Sequence, residues 1–230
     1  MALLLQYTLI YASVLMLVAL GGCFSERSGV INLGLEGTMV IGALGGALVM
    51  KYMGDLPAAL MILAVVLGSV IFGMIYSLLL AVSAINFKAD QTLVGTAMNL
   101  LGTAAATVIV KAINMGENVN NVSSSIQYID QRKAFSAFKM GNFEVSWFMI
   151  LAGILLIVAH VVLYKTRFGL RLRACGEHPQ AADSVGINVY KMRYAGVLIS
   201  GLFGGLGGIV YITYSFLCYL LHLGELHYNH

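Results

Sequence analysis

The sequence predicts an all-α fold, a polytopic bundle of transmembrane helices. Composition is the first reason: of 230 residues, 60% are apolar and only 10% charged, with a mean hydropathy of +0.88, whereas soluble domains carry about 25% charged residues. Spacing is the second. Apolar runs near the roughly 20 residues needed to cross a bilayer fall at 3–24, 36–53, 57–82, 91–113, 146–164 and 194–217, six spans in all. The third is the balance of 26 Gly against 2 Pro, which suits helices that approach closely through small residues. The lipid bilayer is the expected environment, and a net charge of +3 gives no basis for a nucleic-acid partner.

The first span ends in "LGGC" at Cys23, which resembles the cleavage box of a lipoprotein signal. The basic n-region of such a signal is missing and further apolar spans follow, so the run reads as a helix. Cys23, Cys175 and Cys218 lie far apart with no C-x-x-C spacing and read as unpaired packing residues. Next comes "SERSGVINLGLEG" at 25–37, which puts Glu26, Arg27, Asn32 and Glu36 between two apolar runs, where ionisable groups are costly. The second span is short and holds Gly37, Gly42, Gly45 and Gly46, which fits a broken or partly re-entrant helix.

Orientation follows from Lys and Arg. Lys165, Arg167, Arg171, Arg173, Lys191 and Arg193 collect in 165–193, which is expected to be cytoplasmic. Counting back places 83–90 and 25–35 inside, and the 114–145 loop and the N-terminus outside. In the fourth span Thr92, Thr96, Asn99, Thr103 and Thr107 follow at spacings of four, three, four and four, with Gly95 and Gly102 beside them. They share one helical face. Such a stripe serves either as interhelical glue, Thr hydroxyls bonding to their own or a neighbouring helix, or as the wall of a path for an uncharged polar solute. Asn99, with donor and acceptor at mid-membrane, is the best single candidate for solute contact.

The 114–145 loop is polar and Asn/Ser-rich, a solvated segment with at most one short amphipathic helix near 126–138. In the basic loop, Pro179 suits the first position of a helix and Gly186 the residue after its end, so about two turns are expected between them. Ala181, Ala182 and Val185 give that helix a small apolar face, suited to a partner's groove as an alternative to a basic loop near anionic lipid. Small-residue clusters at 42–49 and 201–210 hint at an internal repeat.

Enzymatic chemistry finds little support. No G-x-x-x-x-G-K-[ST] phosphate loop occurs, so ATP hydrolysis would belong to another polypeptide. His160, His178, His222, His227 and His230 form no H-E-x-x-H set, and no metal or cofactor is expected.

Three segments together, "SERSGVINLGLEG" at 25–37, "ADQTLVGTAMNLL" at 89–101 and "GLRLRACGEHPQAADSVGINVYKMRYAGVLISGLFGGLGG" at 169–208, resemble the inner-membrane permease subunits of bacterial ATP-binding-cassette importers for simple sugars and nucleosides. The resemblance runs from about residue 10 to 214. Branched-chain amino acid permeases are related, but Leu33, Gly34, Leu35 and Glu36 favour the sugar and nucleoside branch, and "SERSG" with "DQT" the nucleoside members. The resemblance implies a multi-pass protein of the bacterial cytoplasmic membrane that works with an ATPase subunit, a second permease in a heterodimer, and an extracytoplasmic substrate-binding protein or lipoprotein.

By the same resemblance, Glu26, Arg27, Gly29, Asn32, Gly34, Glu36 and Gly37 form a hallmark loop, with Glu26 and Arg27 paired at the cytoplasmic edge. Arg171, Arg173, Gly176, Glu177, Pro179, Ala181, Ala182 and Gly186 belong to the loop that meets the ATPase. Residues 1–217 are then the permease domain, with 165–193 as coupling loop. The tail 218–230 departs from the pattern as a truncated or frame-shifted ending would. The rival classes are a branched-chain amino acid permease, a non-transporting membrane fragment or scaffold, and an intramembrane enzyme.

Overall fold

The computed structural model describes residues 2–53, 57–118, 123, 136–140 and 143–228, with side chains chiefly over 8–53, 59–118 and 150–213. In chain order the elements are α1 (Ala2–Arg27), α2 (Leu35–Tyr52), α3 (Ala58–Ala81) with a π-helical turn (Val82–Asn86), α4 (Gln91–Glu117), β1 (Ser136–Met140), β2 (Phe143–Ser146), α5 (Trp147–Lys165), α6 (Arg167–Glu177), α7 (Pro179–Ser184) and α8 (Val189–Tyr228). Every expected span is a helix, and the chain is a polytopic helical bundle. Four helical stretches are long and apolar enough to cross a membrane: Thr8–Arg27, Ala59–Asn86, Gln91–Glu117 and Val189–Thr213. A fifth arises if α5 and α6, bent by 69° at Thr166, count as one broken span.

Helix α2 corrects one expectation, because it is continuous over its 18 residues rather than broken. At 1.5 Å per residue it is about 27 Å long, shorter than its neighbours, and Glu36 and Lys51 stand at its two ends. Its glycines are contact points instead of breaks. A Cβ on Gly42 would run into the backbone of Gly205 on α8, and one on Gly46 into Ile209. The clusters at 42–49 and 201–210 therefore face each other.

Helix α8 is the central post, packed on α1, α2 and α3, while α2 lies among α3, α4 and α8 and α5 leans on α1. Within lipid the hydrophobic effect does not drive helices together, so close van der Waals fit must. Gly73 of α3 shows how tight the fit is, since a Cβ there would come within 2.5 Å of the Gly201 carbonyl oxygen. One buried cluster joins α1, α3, α5 and α8 through Leu17, Val65, Ala159 and Ile209. Another joins α3, α4 and α8 through Leu80, Met98 and Val197.

The segment between α4 and α5 brings a second correction. β1 and β2 pair antiparallel, with Lys139 opposite Glu144 and Met140 opposite Phe143. Ser136–Phe138, the end of the short helix expected near 126–138, thus belong to a strand, and residues 124–135 lie outside the described ones. At the other end of the chain, the backbone of α8 continues through Tyr228 with no break at residue 217. Cys218 lies where no side chain is described.

Candidate functional site

The loop joining α1 to α2 is built by its own short side chains. Ser25 and Ser28 are fully buried. The Ser25 hydroxyl donates to the Val30 carbonyl at 2.6 Å, and Ser28 donates to the Ser25 carbonyl at 2.6 Å. Gly29, at φ +84°, takes the left-handed turn that follows Ser28, a conformation that costs a side-chain-bearing residue about 1–2 kcal/mol. Glu26 and Arg27 are exposed and form no ion pair with each other, which corrects the expected pairing. Successive residues on a helix point in different directions. Among the described residues the ion pair found is Lys51 with Glu117 at 2.8 Å, joining the far ends of α2 and α4.

Asn32, buried, anchors the loop to α8 by donating to the Ser200 hydroxyl at 2.8 Å, while its carbonyl oxygen accepts from the Gly34 amide at 3.0 Å. Gly34 precedes α2, and its carbonyl accepts from the Thr38 hydroxyl at 2.9 Å. Glu36 is exposed in the first turn of α2, where a negative charge is favoured by the helix dipole. Gly37 lies so near α4 that a Cβ there would sit 2.5 Å from the Met98 carbonyl oxygen.

Helix α4 has two faces. Its packed face is Gly95, Met98, Gly102, Ala106 and Val110. Gly102 meets Gly37, and Gly95 meets Leu33, with a Cβ on either only 2.8 and 2.7 Å from those residues. The Tyr76 hydroxyl of α3 donates to the Met98 carbonyl at 2.5 Å. The N-terminus of α4 is capped by Asp90, which accepts from the Thr92 amide at 2.8 Å.

The expected stripe lies along the other side. Thr92, Thr96, Thr103 and Thr107 are exposed. Thr96 donates to the carbonyls of Thr92 and Leu93 at 3.0 Å, Thr103 to that of Leu100 at 3.0 Å, and Thr107 to that of Thr103 at 2.8 Å. These hydroxyl protons are spent inside the helix, leaving oxygen lone pairs facing outward. Asn99 differs from the threonines. Its NH2 donates to the Leu33 carbonyl at 2.9 Å and its oxygen accepts from the Gly37 amide at 2.9 Å, so both ends of its amide fasten α4 to the loop and to α2.

Helices α6 and α7 carry the basic segment. Thr166 makes the bend: its hydroxyl donates to the Val162 carbonyl at 2.5 Å and accepts from the Gly169 amide at 3.2 Å. Leu172 and Cys175 of α6 are buried, and Arg173 lies over the Tyr164 ring at 5.0 Å, while Arg171 is exposed. Burial pushes the Cys175 thiol up, and the positive charge of Arg193 opposes that shift. Pro179 opens α7 as its residue type predicts. Gly186, at φ +82°, closes it, its amide donating to the Asp183 carbonyl at 2.9 Å. Ala182 is buried, whereas Ala181 and Val185 face solvent, Val185 at 79% exposure, as do Glu177 and Asp183.

Sequence reasoning missed Gln91 and Ser200, and it read Arg193 only as one charge of the basic cluster. Gln91 accepts from the Ile31 amide at 2.7 Å. Arg193 comes near Gly29 and lines, with Lys88, Gln91 and Asp183, a cleft of about 430 Å³ between α7 and the turn after α3. Ser200 alone could have been noticed, as a hydroxyl in the middle of a span.

The family model described as branched-chain amino acid transport system / permease component matches residues 4–220. Over 210 residues the chain is 46% identical to the guanosine ABC transporter permease protein NupQ of Bacillus subtilis, covering 90% of this chain and 66% of that protein. It is 39% identical over 207 residues to the nucleoside ABC transporter permease protein NupC of Lactococcus lactis, covering 88% and 65%. To the putative glucose ABC transporter permease protein TsgC13 of Haloferax volcanii it is 33% identical over 207 residues, covering 89% and 61%. The chain thus spans about two thirds of the length of these relatives. No solved structure matches it. The match runs from the first helix into the last and takes in the loop, the two-faced helix and the basic segment described above: the chain belongs to the family of branched-chain amino acid transport system permease components, multi-pass proteins of the membrane.

Proposed function

We propose that the chain is a membrane-spanning subunit of an ATP-binding-cassette importer that admits nucleosides, with simple sugars as the next class. The observation that carries the reading is the outer face of α4, where threonine oxygens with spent protons offer neutral acceptors. Nucleosides and sugars present hydroxyl and amino donors to such a wall. A free amino acid would bring two charges, for which the stripe supplies no counter-charge, and this disfavours a branched-chain amino acid substrate. Identity to permeases named for guanosine and nucleosides supports the same choice.

In this reading the N-terminus is outside the bacterial cytoplasmic membrane and 165–193 is inside. ATP is hydrolysed by a separate subunit seated on α6 and α7, where Glu177, Pro179, Ala181 and Gly186 present an ordered surface. The outer face of α4, with Leu93, Leu100 and Val108 exposed among the threonines, lines the path beside a second, similar permease. A substrate-binding protein delivers solute from outside. Co-purification in mild detergent with a co-expressed ATPase subunit of a nucleoside importer tests the assembly. The intact chain retains the ATPase and the Glu177→Lys, Asp183→Lys variant loses it, whereas no retention by the intact chain contradicts the reading.

A further inference from the structure

The loop of residues 25–34 touches both the basic helix α6 and the striped helix α4. At one end a Cβ on Gly176 of α6 would strike the Arg27 carbonyl oxygen and lie 3.1 Å from the Gly29 amide nitrogen, so the two backbones are in contact there. At the other end the Ile31 amide is held by Gln91, the first residue of α4, at 2.7 Å, and the Leu33 carbonyl by Asn99 at 2.9 Å. Between the two ends the loop has little freedom. Ser25 and Ser28 are buried with their hydroxyls bonded inside the turn, and Asn32 is tied to α8.

A short backbone segment gripped at both ends and braced in the middle transmits displacement instead of absorbing it, because packed interiors deform little. We infer that residues 25–34 are a rigid strut by which the position of α6 sets the position of α4, with Gly176 and Gln91 as positioning residues at its two ends. The mechanistic meaning rests on the transport reading above: movement of α6 and α7 by an ATPase would shift the threonine wall through the strut. The glycine at 176 is required by the contact itself, since any side chain would push α6 off the loop.

The buried Cys175 beside Gly176 is a reporter of that seating. In the Cys23→Ser, Cys218→Ser background, alkylation of Cys175 by N-ethylmaleimide measures how often α6 lifts from the loop. Gln91→Ala, at the α4 end, removes a hydrogen bond on the surface. It raises the Cys175 rate about five-fold if the strut is a unit, as expected for losing one bond that holds a local opening shut. Lys51→Ala, at the far end of α2, leaves the rate unchanged. An unchanged rate in Gln91→Ala overturns the inference.

The second arm uses the assembled importer. Gln91→Ala and Gly176→Ala lower the turnover of nucleoside uptake per ATP hydrolysed about ten-fold with KM unchanged, the pattern for a step after binding. Wild-type coupling in Gln91→Ala, whose fold is not at risk, also overturns the inference. If the wild-type assembly moves no nucleoside, the transport reading fails while the alkylation arm still decides the strut.

Discussion

In the membrane-spanning stretches Val189–Thr213 of α8 and Gln91–Glu117 of α4 the mean hydropathy is nearly the same, 1.9 and 1.7, yet 67% of the most apolar part of the first is buried within the chain and only 22% of that of the second. Hydropathy reports that a helix can reside in lipid and says nothing about what covers it. Small residues separate the two cases. On α8, glycines at 201, 204, 205, 207 and 208 open its surface to α1, α2 and α3. On α4, Gly95 and Gly102 open one face only, and the opposite face is left to threonine and leucine. One helix is a post, and the other is a wall with one side bonded to the protein.

The largest effect expected from this contrast is at the crossing of α3 with α8. Gly205→Val would force a branched side chain into the Ser69 carbonyl and the backbone of Gly73, an overpacking that costs about 3 kcal/mol or more. Thermal unfolding in detergent should show a fall in Tm on the order of 10 °C, and a Tm within error of wild type would refute the post. Asn99→Leu comes next. It leaves the Leu33 carbonyl and Gly37 amide without their partner, and such losses cost about 2 kcal/mol, so both stability and uptake fall. The double change Thr96→Val, Thr103→Val sharpens the comparison by touching only the exposed side. Stability stays within about 0.5 kcal/mol of wild type while KM for nucleoside rises about five-fold, as for lost hydrogen bonds to a bound solute.

The smallest effect belongs to the Lys51–Glu117 pair, whose glutamate side chain is 58% exposed. Lys51→Met should change stability by less than about 1 kcal/mol, and a larger fall in unfolding midpoint would show that the C-terminal ends of α2 and α4 matter more than their glycine contacts. Cys175 adds a pH test. Because burial raises its thiol and the thiolate is the reacting form, its alkylation should climb at more alkaline pH than that of a small free thiol in the same buffer. Coincident profiles would contradict the buried placement.

Much of the fold was legible because apolar runs and turn chemistry act locally. The helices at each run, the opening of α7 at Pro179 and its closure at Gly186 need only nearby residues to be understood. The failures came where glycine or polar residues have partners far along the chain. Gly42 and Gly46 looked like helix breakers in α2, and only Gly205 and Ile209 of α8 reveal them as contact points. The spacing of Thr92 to Thr107 put those residues on one face but could not say that Asn99, at the edge of that face, turns its amide onto Leu33 and Gly37. Glu26 and Arg27 drew attention by charge, whereas the uncharged Ser25, Ser28 and Asn32 hold the loop.

The measurement that bears most directly on the proposed function is uptake of radiolabelled guanosine into proteoliposomes holding this chain with the ATPase, second permease and binding protein proposed for it. Glucose and leucine are supplied in parallel as competing solutes. ATP-dependent guanosine accumulation that excess leucine does not diminish is the expected result. Accumulation of leucine in place of guanosine would contradict it, because a neutral threonine wall would then be serving a doubly charged solute.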